Sequence, residues 1–292
     1  MVWYEATKAL GPRQMAIPKI IHQTLNNKYE LNPIFKANIE KLKYHNLNWE
    51  HRLYDDNDQR KFISNCYGAD FLQSFDKINA LYGAARADFF RYLLMYELGG
   101  VYLDIKSTSN KKLDDVLQED ESFVLSRWAN KDGERYQGWG RHPEFGVESE
   151  YQQWHIIAAP RHPFLKSVIS IVKINIDEYK PIRDGVGQIG VLRLTGPIAY
   201  TLAIEAIKKF HKHRLVDITN LGFEHSIVPD IPLSTIGNLY GREHYSILRE
   251  PIVWVSTTQQ LAFYVRNILW GLGRTLLPKS LHRGIKLLCR LF

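Results

Sequence analysis

Cysteine is nearly absent: the 292 residues hold two, Cys66 and Cys289. They lie far apart, and no Cys or His stands at ligand spacing around them. That excludes a disulfide framework and a zinc module, and it suits a reducing compartment. Long apolar runs are missing too, with no stretch of about 18 apolar residues that would cross a membrane as a helix. The opening MVWYEATKALGPRQMAIPKI lacks the uninterrupted apolar core of a signal peptide, so a cytoplasmic chain is expected. Acidic residues are absent from 261–292, which carries six Lys or Arg, at 266, 274, 279, 283, 286 and 290. Of the 38 basic residues, the 32 outside this tail face 31 acidic ones, so the body is close to neutral. A nucleic-acid partner would want a basic face on the folded body, and a high isoelectric point alone does not supply one.

The tail fits a surface helix on anionic lipid, with Leu, Ile, Trp and Phe toward the acyl chains and Arg and Lys toward the headgroups. The expected location is peripheral, at the inner face of the membrane. The alternative is an ordinary helical pair packed on its own domain with a solvated basic face. The chain therefore divides into a body, 1–258, and a basic amphipathic helical segment, 259–292.

The body is rich in core-forming residues, 45% hydrophobic and 12% aromatic, which excludes a disordered chain. IPKIIHQTL (17–25) reads as a short strand, 33–46 as a helix, and NWEHRLYDDND as a strand with alternating Trp49, His51 and Leu53. Residues 59–75 read as one or two helices. KINALYGAARADFFRYLLMYELGG has the clearest helical spacing, and Gly99–Gly100 end it. VYLDI and SFVLS read as strands, and 127–153 as a long surface loop rich in glycine, aromatics and charge. HIIAAP is a strand, HPFLKSVISIVKINIDEY a helix, 181–196 a Gly-rich connection, and TGPIAYTLAIEAIKKF a helix with Pro197 in its first turn. This alternation predicts an α/β layered fold with a mostly parallel central sheet.

Chemistry concentrates at ELGGVYLDIKS. Asp88 and Arg91, three apart, share a helix face beside Ala84 and Ala85. Past the glycine turn, Tyr102 and Asp104 point to one side of a strand. Chain reversal brings the two pairs together at the carboxyl end of that strand, where α/β sheets bind ligands. Two carboxylates, a guanidinium and a phenol suit a polyhydroxylated ring. The plain alternative is an intrahelical ion pair beside a core tyrosine. Gln23 and Thr24, just past the first strand, are candidate base or ribose contacts. Asp114 and Asp115 read as a solvated turn or a helix start.

ARADFFRYLLMYELGGVYLDIKS resembles the signature of the DXD-containing sugar transferases of glycosyltransferase family 32, which includes mannosyltransferases and bacterial capsule enzymes. Asp88, Arg91, Tyr92, Tyr96, Gly99, Gly100, Tyr102 and Asp104 fall in register with that pattern. IPKIIHQT, NWEHRLYDDND, AAPRHPFL and LTGPIAYT resemble further segments in order, so the likeness covers about residues 17–255. It implies a GT-A fold and retaining transfer of a hexose from a UDP- or GDP-sugar to a glycan or lipid-linked acceptor. By position, His22, Gln23, Thr24, Ala84, Asp88, Arg91, Tyr102 and Asp104 would contact the donor.

Two departures stand out. The family's last motif carboxylate binds Mn2+ or Mg2+ on the diphosphate; here that position is Lys106. A histidine in an H-H-x-x-x-S-W-like segment often completes the metal site; here Trp254 and Val255 stand there. One reading is metal-free catalysis, with the Lys106 ammonium and a loop arginine such as Arg242 or Arg249 neutralising the leaving group. Another is an inactive protein that still binds a nucleotide or a partner. A third turns Lys106 away and gives a metal to Asp104 and His244. The expected acceptor surface is the aromatic loop, with Trp128, Tyr136, Trp139, His142 and Trp154; its alternative is a loop folded on its own aromatic cluster.

Overall fold

The computed structural model describes residues 16–146, 148–228 and 244–276, with side chains in the last helix as far as Ile268. Its centre is a six-stranded sheet of β1 (Ile20–Thr24), β2 (Glu50–Tyr54), β3 (Gly100–Leu103), β5 (Phe123–Arg127), β6 (His155–Ala158) and β7 (Arg214–Asp217), in the order β2-β1-β3-β6-β5-β7. β6 pairs antiparallel with both its neighbours, and the other pairings are parallel. The expected α/β architecture with a mostly parallel sheet is what forms. A second ladder, β4 (Thr108–Ser109) against β8 (Phe223–Glu224), had no signal in the sequence because two residues are too few to show a period.

Local chemistry starts and stops the elements. α1 (Pro33–His45) begins with Pro33, and the Asn32 side chain accepts from the Ile34 amide. α2 (Asp56–Lys77) opens on a capping box between Asp55 and Asp58 and breaks at Gly68, φ 79°, so the expected alternative of two helices holds. α3 (Gly83–Leu98) buries every residue from Asp88 to Met95, the mark of a helix enclosed on all sides. Gly99 and Gly100 both have positive φ. A Cβ on Gly99 would lie 2.6 Å from Pro160 Cδ, and one on Gly100 2.6 Å from Ile20 O. Only glycine lets the chain turn so tightly from α3 into β3.

α4 (Leu113–Val116) has Asp114 in its first turn, accepting from Trp49 Nε1 at 2.9 Å and paired with Lys19, so the helix-start reading of Asp114 and Asp115 holds. α5 (Pro163–Asp177) packs on α3 and on α8 (Pro197–Glu205). The segment 181–196 differs from expectation, since it forms α6 (Pro181–Asp184) and α7 (Gly187–Leu194). Its glycines hid a helical repeat: Gly187, Gly190, Val191 and Leu194 are the buried positions, and Gly190 is small because Ile252 Cδ1 lies against it. α9 (Ile218–Leu221) precedes β8.

α10 (Thr257–Leu276) occupies the start of the expected basic tail. Phe263 is buried, and Arg266 Nη1 donates to Ile182 O at 3.1 Å, which fixes the helix on α6. Leu261, Tyr264, Val265 and Ile268 remain exposed at i, i+3, i+4 and i+7. The rest of the tail, 277–292, lies outside the described residues. No helix among the described residues is long and apolar enough to cross a membrane.

Burial of two sheet histidines makes a pH prediction. His22 in β1 and His155 in β6 are enclosed, and burial first of all lowers each from 6.5 to about 3. The unfolded chain then binds protons that the folded chain refuses, so stability is fully present above pH 6.5 and is lost as pH falls toward 3. Each histidine should contribute a slope of about 1.4 kcal/mol per pH unit in that window. Urea midpoints measured against pH should flatten by that amount in His155→Gln, and an unchanged slope would contradict the assignment.

Candidate functional site

Asp104 follows the last residue of β3, at the carboxyl end of the parallel strands, as the sequence led one to expect. Arg91 reaches it from α3. Its Nη2 lies 3.1 Å from Asp104 Oδ1 and 3.1 Å from Asp88 Oδ1. Nη1 donates to the Gln153 backbone and side-chain oxygens, each at 2.8 Å, and Nε to Ala87 O at 3.3 Å. The guanidinium stacks 4.7 Å above the Tyr102 ring. Tyr102 donates to Asp104 Oδ1 at 3.2 Å and meets Thr24 Oγ1 at 2.9 Å. Asp88 accepts from Gln153 Nε2 at 3.1 Å and from Thr195 Oγ1 at 3.0 Å. One hydrogen-bonded chain therefore runs Thr24–Tyr102–Asp104–Arg91–Asp88–Thr195.

Accessibility separates the members. Asp88 and Arg91 are buried with their polar atoms engaged, whereas the Asp104 side chain is 23% exposed. Asp88 and Arg91 thus form the floor of the site, and Asp104 presents its open carboxylate. Burial, seconded by the neighbouring Asp104 charge, pushes Asp88 up to about 6 against the pull of Arg91.

Lys106 enters the same space. Burial holds its ammonium below the usual lysine range, Asp104 opposes that, and Arg91 reinforces it. Its charge in turn helps hold His225 and His244 below the usual imidazole range, after burial. The Lys106 charge is felt by Asp104, Arg91 and His244 alike. Asp104 Oδ1 already carries Arg91. Among the described residues no group of three or more His, Cys, Asp and Glu could hold a metal ion. Of the protein carboxylates here, Asp104 is the partly exposed one, and it shares the site with the Lys106 charge.

The residues of β1 serve differently from the donor contacts expected of them. His22 is fully buried; its Nε2 donates to Gly99 O at 3.0 Å, which leaves Nδ1 to accept from Tyr54 Oη at 3.1 Å. Gln23 is also fully buried, donating to Asp104 O at 3.2 Å and accepting from His51 Nε2 at 2.9 Å. Both position the turn and Asp104 rather than offering a free atom. Ala84 is half-buried in the first turn of α3.

The aromatic loop is folded on its own cluster. Trp128 is buried, donates to Glu150 Oε1 at 2.7 Å, and packs 4.9 Å from Tyr136 and 5.2 Å from Trp139 between ring centres. His142 binds the other Glu150 oxygen at 2.7 Å. Trp154 is buried with no hydrogen-bond partner for its indole nitrogen among the described residues. Trp139, 50% exposed, is the member with a broad open face.

Three participants were missed. Gln153 and Thr195 hold Asp88, and His225 packs 5.1 Å from Trp128 and 5.4 Å from Trp154 while facing Lys106. Thr195 lay in LTGPIAYT, a segment noted without a role. Gln153 precedes β6 and His225 follows β8, and their partners are too distant in sequence to leave a local signal. Of the two candidate loop arginines, Arg249 is exposed and donates to Leu248 O, and Arg242 lies outside the described residues.

Known proteins resemble parts of this chain. Residues 27–123 match the family described as "Glycosyltransferase sugar-binding region containing DXD motif". An inositol phosphoceramide mannosyltransferase 3 of Schizosaccharomyces pombe is 36% identical over 102 residues, 35% of this chain and 28% of that protein. The initiation-specific alpha-1,6-mannosyltransferase of the same organism is 25% identical over 206 residues, 66% of this chain and 49% of that one. The chain thus spans half or less of the length of these curated relatives. A solved structure, the PaToxG glycosyltransferase, aligns with a TM-score of 0.47 and 15% identity over 67% of this chain and 71% of that one. Residues 27–123 are thus similar to a DXD-type glycosyltransferase sugar-binding region.

Removing Arg91 leaves two carboxylates facing each other with Asp88 buried. Arg91→Met should therefore destabilise the fold by about 3–5 kcal/mol in urea unfolding. Adding Asp88→Asn should recover part of that loss, because the two residues share one network. A loss below about 1 kcal/mol would match an exposed pair and contradict this geometry.

Proposed function

We propose that the chain is a retaining glycosyltransferase that moves a hexose from a UDP- or GDP-sugar to a glycan or lipid-linked acceptor without a metal ion. The observation that carries the proposal is Lys106 two residues after Asp104, half-buried and with its charge felt by Asp104 and Arg91. Exchanging a motif carboxylate for an ammonium raises the formal charge of the site by two units, the charge that a divalent cation would bring. The set Asp88, Arg91, Asp104 and Lys106 is then neutral in total. As a glycosyl bond breaks, negative charge grows on the diphosphate while the sugar gains oxocarbenium character. Lys106 meets that growing charge as a point cation; it lacks the fixed geometry of a coordinated metal.

Asp104, with one oxygen held by Arg91 and Tyr102, accepts from a donor hydroxyl with the other. The buried pair beneath it fixes its direction, which limits the reorganisation needed during transfer. Among the described side chains none is singled out as a nucleophile, and front-face transfer without a covalent glycosyl-enzyme is the reading adopted. Trp139 offers the acceptor sugar an aromatic face, and the indole N–H of Trp154 a hydrogen bond. The mannosyl transfer in the relatives' names favours a mannosyl donor, and inositol phosphoceramide in one of them favours a lipid acceptor. The exposed stripe of α10, followed by the basic tail, supports attachment to an anionic membrane surface, proposed as the cytoplasmic one, with 259–292 as the attaching segment.

The test is donor hydrolysis and transfer by the purified protein across a panel of UDP- and GDP-sugars, with EDTA or with added manganese. Turnover should be equal in the two conditions, and Lys106→Ala should lower kcat by about 100-fold. Turnover that requires manganese overturns the metal-free reading, and the absence of both turnover and donor binding overturns the enzyme reading.

A further inference from the structure

One imidazole beside the site is fixed in place yet unused. Ser107 Oγ donates to His225 O and Ile227 N to Lys106 O, each at 2.8 Å, so the chain at 225–227 runs along Lys106 and Ser107. These bonds extend the short ladder that pairs Thr108 with Glu224 and Ser109 with Phe223. His225 is partly exposed, and among the described residues neither of its ring nitrogens meets a hydrogen-bond partner. Neighbouring histidines are engaged: His22 with Gly99 and Tyr54, His51 with Gln23, His142 with Glu150, and His155 with Ser126.

The His225 ring stands against three indoles, 5.1 Å from Trp128, 5.4 Å from Trp154 and 6.0 Å from Trp139 between centres. Trp139, the exposed one, is held firmly. Its amide donates to Tyr136 O at 2.9 Å, and Arg135 Nη2 ties the same loop to Glu224 Oε1 at 3.0 Å, one residue before His225. Burial, followed by the Lys106 charge, holds His225 well below the usual imidazole range. The neutral ring offers one donor and one acceptor nitrogen. A hydrogen-bonding group thus lies between an open aromatic face and the Lys106 cation.

We propose that His225 binds the acceptor: a ring nitrogen hydrogen-bonds the attacking hydroxyl of a polyhydroxylated ring that lies against the open face of Trp139. The inference rests on the transferase reading above and names a residue for its acceptor side. Front-face transfer directs the choice. The attacking oxygen enters on the face from which the diphosphate leaves, so a group beside the leaving-group cation, Lys106, is also beside the attacking hydroxyl. The bond from the acceptor oxygen to C1 forms while the bond from C1 to the diphosphate oxygen breaks. The electron pair of the broken bond stays on the diphosphate, and the hydroxyl proton passes to a diphosphate oxygen. His225 orients that hydroxyl without keeping its proton, because the Lys106 charge opposes an imidazolium next to it.

The experiment compares transfer to methyl α-mannoside or myo-inositol with hydrolysis of the same donor, in the wild type, His225→Phe and His225→Gln. His225→Phe keeps a ring among the indoles and removes both nitrogens. Its ratio of transfer to hydrolysis should fall by about tenfold, the scale of one lost hydrogen bond to an uncharged group. His225→Gln should recover part of that loss. An unchanged ratio in His225→Phe overturns the proposal. A second measurement needs no turnover. The imidazole nitrogen signals of His225 in the full chain, assigned by their loss in His225→Gln, should shift on titration with one of the two compounds in the presence of UDP or GDP. The compound that shifts them tells a hexose acceptor from an inositol one, and signals that move with neither overturn the proposal. A wild type without any turnover defeats the transferase reading, whereas these signals report on His225 itself.

Discussion

One guanidinium holds the site together. Arg91 stacks on the Tyr102 ring, spans Asp88 and Asp104, and satisfies the Gln153 oxygens besides. Burying Asp88 alone would be costly, and its upward shift records that. Arg91 makes the burial tolerable, and in return its own direction is fixed by two carboxylates and a ring. The result is a rigid floor on which Asp104, the exposed member, is aimed at the carboxyl end of β3. The glycine turn at 99–100, which no Cβ can enter, sets the distance from α3 to β3 and so the reach of Arg91.

Electrostatic balance explains how Lys106 can stand in this place. A pocket with three carboxylates and one arginine would be strongly anionic and would need a cation before it could accept a diphosphate. With Lys106 the pocket is balanced beforehand, and its ammonium is poised by Asp104 on one side and burial on the other. The neighbouring His225 and His244 are held neutral, so they add hydrogen-bonding capacity without competing charge.

What could be read in advance followed from short-range spacing. Asp88 and Arg91 at i,i+3, the Gly-Gly stop and the alternation of Tyr102 and Asp104 all lie within 17 residues, and together they located the site. Residues whose roles depend on strand pairing were not legible. The resemblance made His22 a donor contact, and Gln23 stood just past the expected first strand. In the fold His22 bonds Tyr54 and Gly99, and Gln23 bonds His51 and Asp104. Gln153 reaches Asp88 across 65 residues and Thr195 across 107, separations for which no local pattern exists. The helices at 181–194 were masked by glycines that serve close packing and not flexibility.

The central claim is that Lys106 supplies the charge that a metal would otherwise bring. Calorimetric titration of UDP and GDP into the wild type and Lys106→Asp, each in EDTA and in manganese, tests it most directly. The account predicts that one of these nucleotides binds the wild type equally in both conditions. It predicts that Lys106→Asp loses that binding in EDTA and regains it with manganese. Wild-type binding that needs manganese, or a Lys106→Asp protein that binds unchanged in EDTA, would contradict it.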